Sequence, residues 1–310
     1  MPTLTIHLFG NLHVTRNDSE PVPLKPAARS MLAFLLLYQY QHPRTAGPRR
    51  DLLASQFWAN HDERAARRCL STTLWRLRRS LETGGLSGDD YIVTNNDEVA
   101  FNFSSDHWLD IAAFEQKVDQ GMAGSVKNMT RRDAELLEEA QALYAGDLFE
   151  DCYDDWIFHH RERLHLKYLS CLGRLMHYYD IHGDFEKCLQ YGRKILSLDP
   201  LREQVHRYMM RLYMRNGQQS LAVQQYHTCY NALKSELGIE PMAETQNLYR
   251  KITAGPALGS AARQKRPNQL HQALLQLQEA MQALSVAQKQ VEEAREMVVY
   301  LTNEIESASL

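Results

Sequence analysis

Hydrophobic and polar positions change period along this chain, and each change predicts an element. In the first 25 residues the apolar runs are short: "LTIHLF", "LHV" and "VPL", separated by Gly10-Asn11 and by "RNDSEP". Those separators are turn signals, so three short strands are predicted. "PAARSMLAFLLLYQY" follows, with Pro26 suited to a first helical turn and an apolar run long enough for a helix buried on most sides. "PRRDLLASQFW" makes a short helix with Leu52, Leu53 and Phe57 inward. After the turn "ANHDE", winding Arg64 to Leu81 at about 100° per residue gathers Leu70, Leu74, Leu77 and Leu81 into one narrow stripe. Asp62 is placed to cap that helix. "YIVTNNDEVAFNF" is two β-type runs around Asn95, Asn96 and Asp97, and reads as a hairpin. Strands, three helices and a closing hairpin spell a winged helix-turn-helix.

From Trp108 to Ile252 the pattern is almost wholly helical. Within it "HYYDIHGDFEKCLQYGRKIL" and "RLYMRNGQQSLAVQQYHTCY" align at a shift of 34 residues, pairing Tyr179 with Tyr213, Gly183 with Gly217, Cys188 with Ala222 and Leu189 with Val223. Thirty-four is the tetratricopeptide period, and a Gly between paired helices is where that unit turns. "TAGPALGSAARQKRPNQ" shifts to small, Pro, Gly and polar residues and reads as a linker. Beyond it Leu270, Leu274, Leu277, Met281 and Leu284 step by 4-3-4-3, and after a slip at Ala287 the series resumes through Val291, Ala294, Val298, Leu301 and Ile305. That is a coiled-coil seam. The expected architecture is mainly α: a winged helix-turn-helix with small β-sheets over residues 1–104, a tetratricopeptide-like helical domain over 105–252, a linker over 253–269 and a coiled-coil helix over 270–310.

Composition sharpens this picture. The 310 residues, 44% hydrophobic and 24% charged, suit two or three domains with real cores. The net charge is only -3, yet between Arg44 and Glu82 nine arginines face four carboxylates, an excess of five positive charges. A basic island in an acidic chain is a feature a polyanion would find. The five cysteines are odd in number and widely spaced, and read as buried free thiols in a reducing compartment. The start lacks a basic region followed by a long apolar run, and no stretch reaches a membrane span, so a cytoplasmic location without membrane contact is expected.

The island centres on "RAARRCLSTTLWRLRRS". Opposite the leucine stripe lie Arg68, Thr72, Trp75, Arg76 and Arg79, with Arg67, Ser71 and Arg78 on one flank and Thr73 on the other. This face offers guanidinium forks and hydroxyls and no acid. Arginine binds phosphate or pairs bidentately with guanine, and Ser and Thr suit phosphates or base edges. An arginine-rich helix face is otherwise a solvated surface. Its place as third helix of a winged fold favours duplex DNA, with Arg64, Arg67, Arg78 and Arg79 adding phosphate or base contacts. Trp75 suits either stacking on DNA or packing on the hairpin or the helical domain.

"LKPAARSMLAFLLL", "RRDLLASQFW", "RAARRCLSTTLWRLRRSL" and the closing "ALKSELGIEPMAETQNLYRKI" resemble the Streptomyces antibiotic regulatory protein (SARP) family of transcriptional regulators. That family joins an OmpR-type winged helix to a bacterial transcriptional activation domain of tetratricopeptide-like helices. The resemblance covers roughly residues 3–252 and implies sequence-specific promoter binding, often by side-by-side protomers, and recruitment of RNA polymerase. Through the matching "RLR" it implies outward contacts from Arg68, Thr73, Trp75, Arg76 and Arg78. Two departures stand out. The hairpin carries Asp97 and Glu98, which would repel phosphate and limit a wing contact to Thr94, Asn95 and Asn96. The coiled coil, which short family members generally lack, would mediate self-association.

Other chemistry is sparse. His159, His160, His165, His177 and His182 form no H-E-x-x-H or similar ligand pattern, so no metal is expected. Asp147, Glu150, Asp151, Asp154 and Asp155 beside Trp156 could pose as a general acid/base pair but read as structural. There is no "GxxxxGK[ST]", and no cofactor or catalytic residue is expected. The alternative function is a tetratricopeptide-type protein-protein adaptor whose winged domain no longer reads DNA.

Overall fold

Strands β1 (Leu4–His7) and β2 (His13–Arg16) pair antiparallel through Leu4↔Arg16 to His7↔His13, and β3 (Glu20–Pro21) lies on the outer side of β2. The third strand comes earlier than the expected "VPL". Pro21 and Pro23 carry no N–H, so between them only Val22 donates back, to the Val14 carbonyl at 2.8 Å. A further strand, β6 (His107–Leu109), runs parallel to β1 and gives the order β3-β2-β1-β6. The sequence pattern takes this segment for the start of the helical region. Parallel pairing with a strand some 100 residues away has no local turn signature to reveal it. This structure is a computed structural model that describes residues 4–17, 20–42, 47–82 and 87–254. The proposed coiled coil and nearly all of the linker lie outside those residues.

Helix α1 (Pro26–Gln41) begins with Pro26 in its first turn and buries every residue from Met31 to Leu37. Helix α2 (Arg50–Trp58) buries Leu53 and Ala54 and half-buries Phe57, but leaves Leu52 exposed. The inward face of so short a helix is one narrow stripe, and Leu52 lies a full ~100° from Leu53. Helix α3 (Glu63–Leu81) leads to the short α4 (Gly88–Tyr91), and then to the hairpin of β4 (Ile92–Asn95) and β5 (Glu98–Phe101), with Asn95 opposite Glu98. Asn96 and Asp97, which close the hairpin, both have positive φ.

The rest of the described chain is helical: α5 (Asp110–Gly121), α6 (Arg131–Leu143), α7 (Asp155–Ile181), α8 (Phe185–Leu198), α9 (Glu203–Arg215), α10 (Gln219–Leu237) and α11 (Ala243–Ala254). The 34-residue repeat becomes the hairpins α7–α8 and α9–α10. Their turns match bond for bond: Asp184 N–H donates to the Tyr179 carbonyl at 2.9 Å, and Gln218 N–H to that of Tyr213 at 2.8 Å. Gly183 and Gly217 sit at φ 73° and 70°, a conformation that a Cβ disfavours. Cys188 and Ala222 are buried at equivalent positions. Among the described residues no helix is long and apolar enough to cross a membrane.

Several contacts join the winged fold to the helices, all within the compact unit that ends at Gln246, and they include backbone bonds from the Gly10, Phe149 and Glu150 N–H groups to the Asp147, Leu8 and Gly10 carbonyls. Asp110, at the start of α5, is buried; its Oδ2 accepts the Leu8 and Phe9 N–H groups at 2.7 and 2.8 Å and its Oδ1 accepts that of Ile111 at 2.7 Å. On the other side, Trp156 of α7 meets Phe34 of α1 edge-on at 5.2 Å and lies 6.5 Å from Phe57 of α2. Arg29 and Asp151 add an ion pair at 2.9 Å.

Candidate nucleic-acid interface

Helix α3 is well specified at both ends. The Asp62 carboxylate accepts the Ala65 N–H at 2.8 Å, Glu63 lies in the first turn, and Arg78 and Arg79 lie in the last, each charge matched to the helix dipole. Its inner face buries Ala66, Leu70, Thr73, Leu74, Leu77 and Leu81, and these apolar contacts fix how the helix is rotated on the core.

Thr73 is therefore not an outward residue. It is only 6% exposed, since it stands three residues from Leu70 and four from Leu77, within the leucine stripe. A groove-facing role for Thr73, implied by the family resemblance, is incompatible with this burial. On the outer face Arg64, Arg68, Thr72, Trp75 and Arg76 are exposed, and no acid among the described residues pairs with Arg64, Arg68 or Arg76. Trp75 is 63% exposed, so most of its ring surface is open to solvent.

The remaining arginines are engaged to different degrees. Arg67 pairs with Glu63 at 2.8 Å and Asp51 at 3.2 Å, and Arg79 with Glu82 at 2.6 Å; all of these groups are largely solvated. Such exposed pairs are worth ~1 kcal/mol or less and yield readily to phosphate. Arg78 differs. Its side chain is 24% exposed and directed at the wing, where it bonds the Ile92 carbonyl, the Thr94 hydroxyl and Asp89. A cleft of about 300 Å³ beside it is lined by Arg50, Ser71, Trp75, Arg78 and Arg79 together with Glu82 and Asp89.

Two residues absent from the sequence expectations join this face. Arg50 Nη2 donates to Ser71 Oγ at 2.9 Å, and Arg49, with a side chain 72% exposed, lies 3.8 Å from Asp97. The signal was present as "PRRD" at the head of α2, but only the fold brings it to α3 and the wing. Backbone bonds complete that link: Val99 N–H donates to the Pro48 carbonyl and Arg50 N–H to that of Asp97, each at 2.9 Å. Asp97 of the wing thus faces the head of α2. Thr94, Asn95 and Asn96 are exposed, while Asp97 and Glu98 are half-buried.

The other clusters serve the fold. Asp147 accepts the Tyr144 hydroxyl at 2.7 Å, Glu150 accepts the Asp147 N–H at 2.9 Å, and Asp154 accepts the Trp156 indole N–H at 3.2 Å. Burial holds the His160 imidazole down at about 4, with Arg163 and His159 adding to the effect. Burial also pushes the thiols of Cys171, Cys188 and Cys229 up to about 12, so they stay protonated. Among the described residues no three His, Cys, Asp or Glu side chains converge as metal ligands do.

Comparison with known proteins finds transcriptional regulators. Residues 109–253 match the family described as the bacterial transcriptional activator domain. The transcriptional regulatory protein MoaR1 of Mycobacterium tuberculosis is 25% identical over 228 residues, 73% of this chain and 72% of that protein. The regulatory protein AfsR of Streptomyces coelicolor is 26% identical over 258 residues, which are 82% of this chain but 25% of that protein. Among solved structures, Mycobacterium tuberculosis EmbR in complex with a low affinity phosphopeptide superposes with a TM-score of 0.67 at 19% identity, over 84% of this chain and 67% of that one. That likeness carries the fold: a winged domain followed by a helical one.

Proposed function

We propose that the chain is a transcriptional regulator of the SARP type, a DNA-binding winged helix joined to a bacterial transcriptional activator domain, and that α3 is the helix that reads its target. The observation that carries this assignment is the outer face of α3: Arg64, Arg68 and Arg76 without acidic partners among the described residues, flanking an exposed Trp75 and Thr72. Buried leucines hold that face outward, and a helix of this width enters a major groove. Arg68 and Arg76 pair with base edges, Trp75 contacts bases or sugars, and Arg64, Arg67 and Arg79 neutralise phosphates. Arg49 and Arg50 continue the basic surface at the head of α2.

In the same proposal the helical domain recruits RNA polymerase, so the protein activates transcription without a catalytic step of its own, inside the cell. Self-association belongs to residues 270–310. Two linked heads on adjacent sites would raise affinity by effective concentration without any new contact.

The test is selection of duplexes from a random pool, then fluorescence anisotropy over a salt series, for wild type and for the Arg68→Ala/Arg76→Ala double variant. A consensus with a steep salt slope is expected. The double variant should lose about 1–3 kcal/mol for each bidentate base contact and relax specificity at those positions. Absence of an enriched sequence, with equal behaviour of the variant, would return this face to a solvated or protein-facing surface and favour the adaptor.

A further inference from the structure

We propose that Arg78 is a positioning residue that locks the β4–β5 hairpin onto α3, so that the wing meets the duplex at a fixed offset from the reading arginines. The inference rests on the DNA-binding reading above and removes Arg78 from the set of direct contacts.

The guanidinium fork closes on three residues of two elements at once. Nε and Nη2 both donate to the Ile92 carbonyl at 3.0 Å, Nη2 also donates to Thr94 Oγ1 at 2.7 Å, and Asp89 Oδ1 lies 2.8 Å from Nε. Asp89 belongs to α4, Ile92 and Thr94 to β4. The main chain of the same residue is engaged too. Gly88 lies flat against it: a Cβ there would stand 2.1 Å from the Arg78 carbonyl oxygen and 2.6 Å from its Cα. α4 is thus seated on the last turn of α3 by a residue without a side chain, and Arg78 reaches past it to hold the first strand of the wing.

A two-stranded hairpin is marginal alone and takes its orientation from what grips its edges. The β5 edge is held by the Pro48 carbonyl and by the head of α2. Arg78 holds the β4 edge, next to the exposed Thr94, Asn95 and Asn96. Lysine cannot replace it, because an ammonium lacks the planar fork that bonds a carbonyl with two N–H groups while also reaching a hydroxyl. A phosphate contact, by contrast, tolerates lysine.

That difference is the experiment. Full-length wild type, Arg78→Lys, Arg78→Ala and Asn95→Ala, with the double variant Arg78→Lys/Asn95→Ala, are compared on a selected duplex by anisotropy in a salt series and by hydroxyl-radical footprinting. Amide hydrogen exchange of residues 92–101 is followed in the free protein. Both Arg78 variants are expected to bind about tenfold more weakly, with the wild-type salt slope, protection lost only on the wing side of the footprint, and hairpin exchange at least ~10-fold faster. Asn95→Ala should cost little further in the Arg78→Lys background. A merely structural loss would weaken the whole footprint in proportion to the folded fraction, and that outcome overturns the proposal. So does wild-type binding by Arg78→Lys with the Arg78→Ala slope reduced by about one, the signature of a phosphate contact. If Arg78→Ala does not fold, Arg78→Lys and Asp89→Asn carry the comparison. Failure of wild type to bind any duplex sinks the DNA reading; unchanged hairpin exchange in Arg78→Lys with wild-type binding intact sinks this proposal alone.

Discussion

At the scale of single residues, the side chains that matter most are those whose surroundings contradict their type. Asp110 is a carboxylate in the core, receiving three backbone N–H groups. Burial pushes its pKa up to about 6, and the Phe9, Leu8 and Ile111 N–H bonds offset only part of that rise. Its folded value lies above the unfolded one, so the folded state holds the proton more tightly. The stability this group contributes grows as pH falls from about 6 toward 3.8 and is lost as pH rises through 6. Asp110→Asn removes that linkage and turns an amide NH2 toward backbone donors. It should cost about 1–3 kcal/mol, and its deficit in melting temperature should widen between pH 7 and pH 4.5, roughly the window in which wild type gains its proton. A deficit independent of pH would show that Asp110 is already protonated, or never is, across that range. Nothing about Asp110 was legible in the sequence: an acid opening an apolar helical run looks like an ordinary first-turn residue, and its role exists only because the chain at the end of β1 passes beside the head of α5. Thr73 teaches the same lesson in reverse. The motif match aimed it outward and the helical winding set it on a flank of the basic face, but its neighbours Leu70 and Leu77 turned it in.

At the scale of elements, periodicity was a sound guide wherever the determinants are local. Helix α3 starts at its Asp62 cap and buries the Leu70, Leu74, Leu77 and Leu81 stripe, because a 3.6-residue period and a capping carboxylate act within a few residues. The paired helical hairpins were equally legible, through the Gly183–Gly217 spacing. Open space surrounds both glycines, so a methyl group meets nothing there and only the left-handed backbone objects. Gly183→Ala and Gly217→Ala should each destabilise by about 1–2 kcal/mol, similar to one another, in chemical denaturation. A much larger loss at one position would mean that the two turns are not equivalent. β6 escaped prediction because three residues joining a distant strand leave no period to read.

At the scale of the whole molecule, the winged fold and the helices are bound by an aromatic junction that no local pattern announces. Trp156 packs against the Phe34–Phe57 pair, and such aromatic pairs contribute about 0.5–1.5 kcal/mol each beyond the area they bury. Trp156→Ala should split one calorimetric unfolding transition into two while leaving short-duplex affinity close to wild type, since α3 is untouched. A single transition at lower temperature would show instead that the Asp110 latch, the Arg29–Asp151 pair and the backbone bonds between residues 8–10 and 147–150 suffice to couple the two parts. The sequence by itself determined which segments are helices, where α3 begins, which face of it is apolar and that its other face is basic, because caps, periods and charge runs act over a few neighbouring residues. Only the tertiary structure decided which arginines remain free to meet DNA. Arg78 is claimed by a strand 14 residues further on, Arg67 only shares exposed pairs that yield to phosphate, and Asp97 of the wing lies 3.8 Å from Arg49 at the head of α2. Hydrogen bonds and ion pairs depend on distance in space, and the fold alone sets that distance.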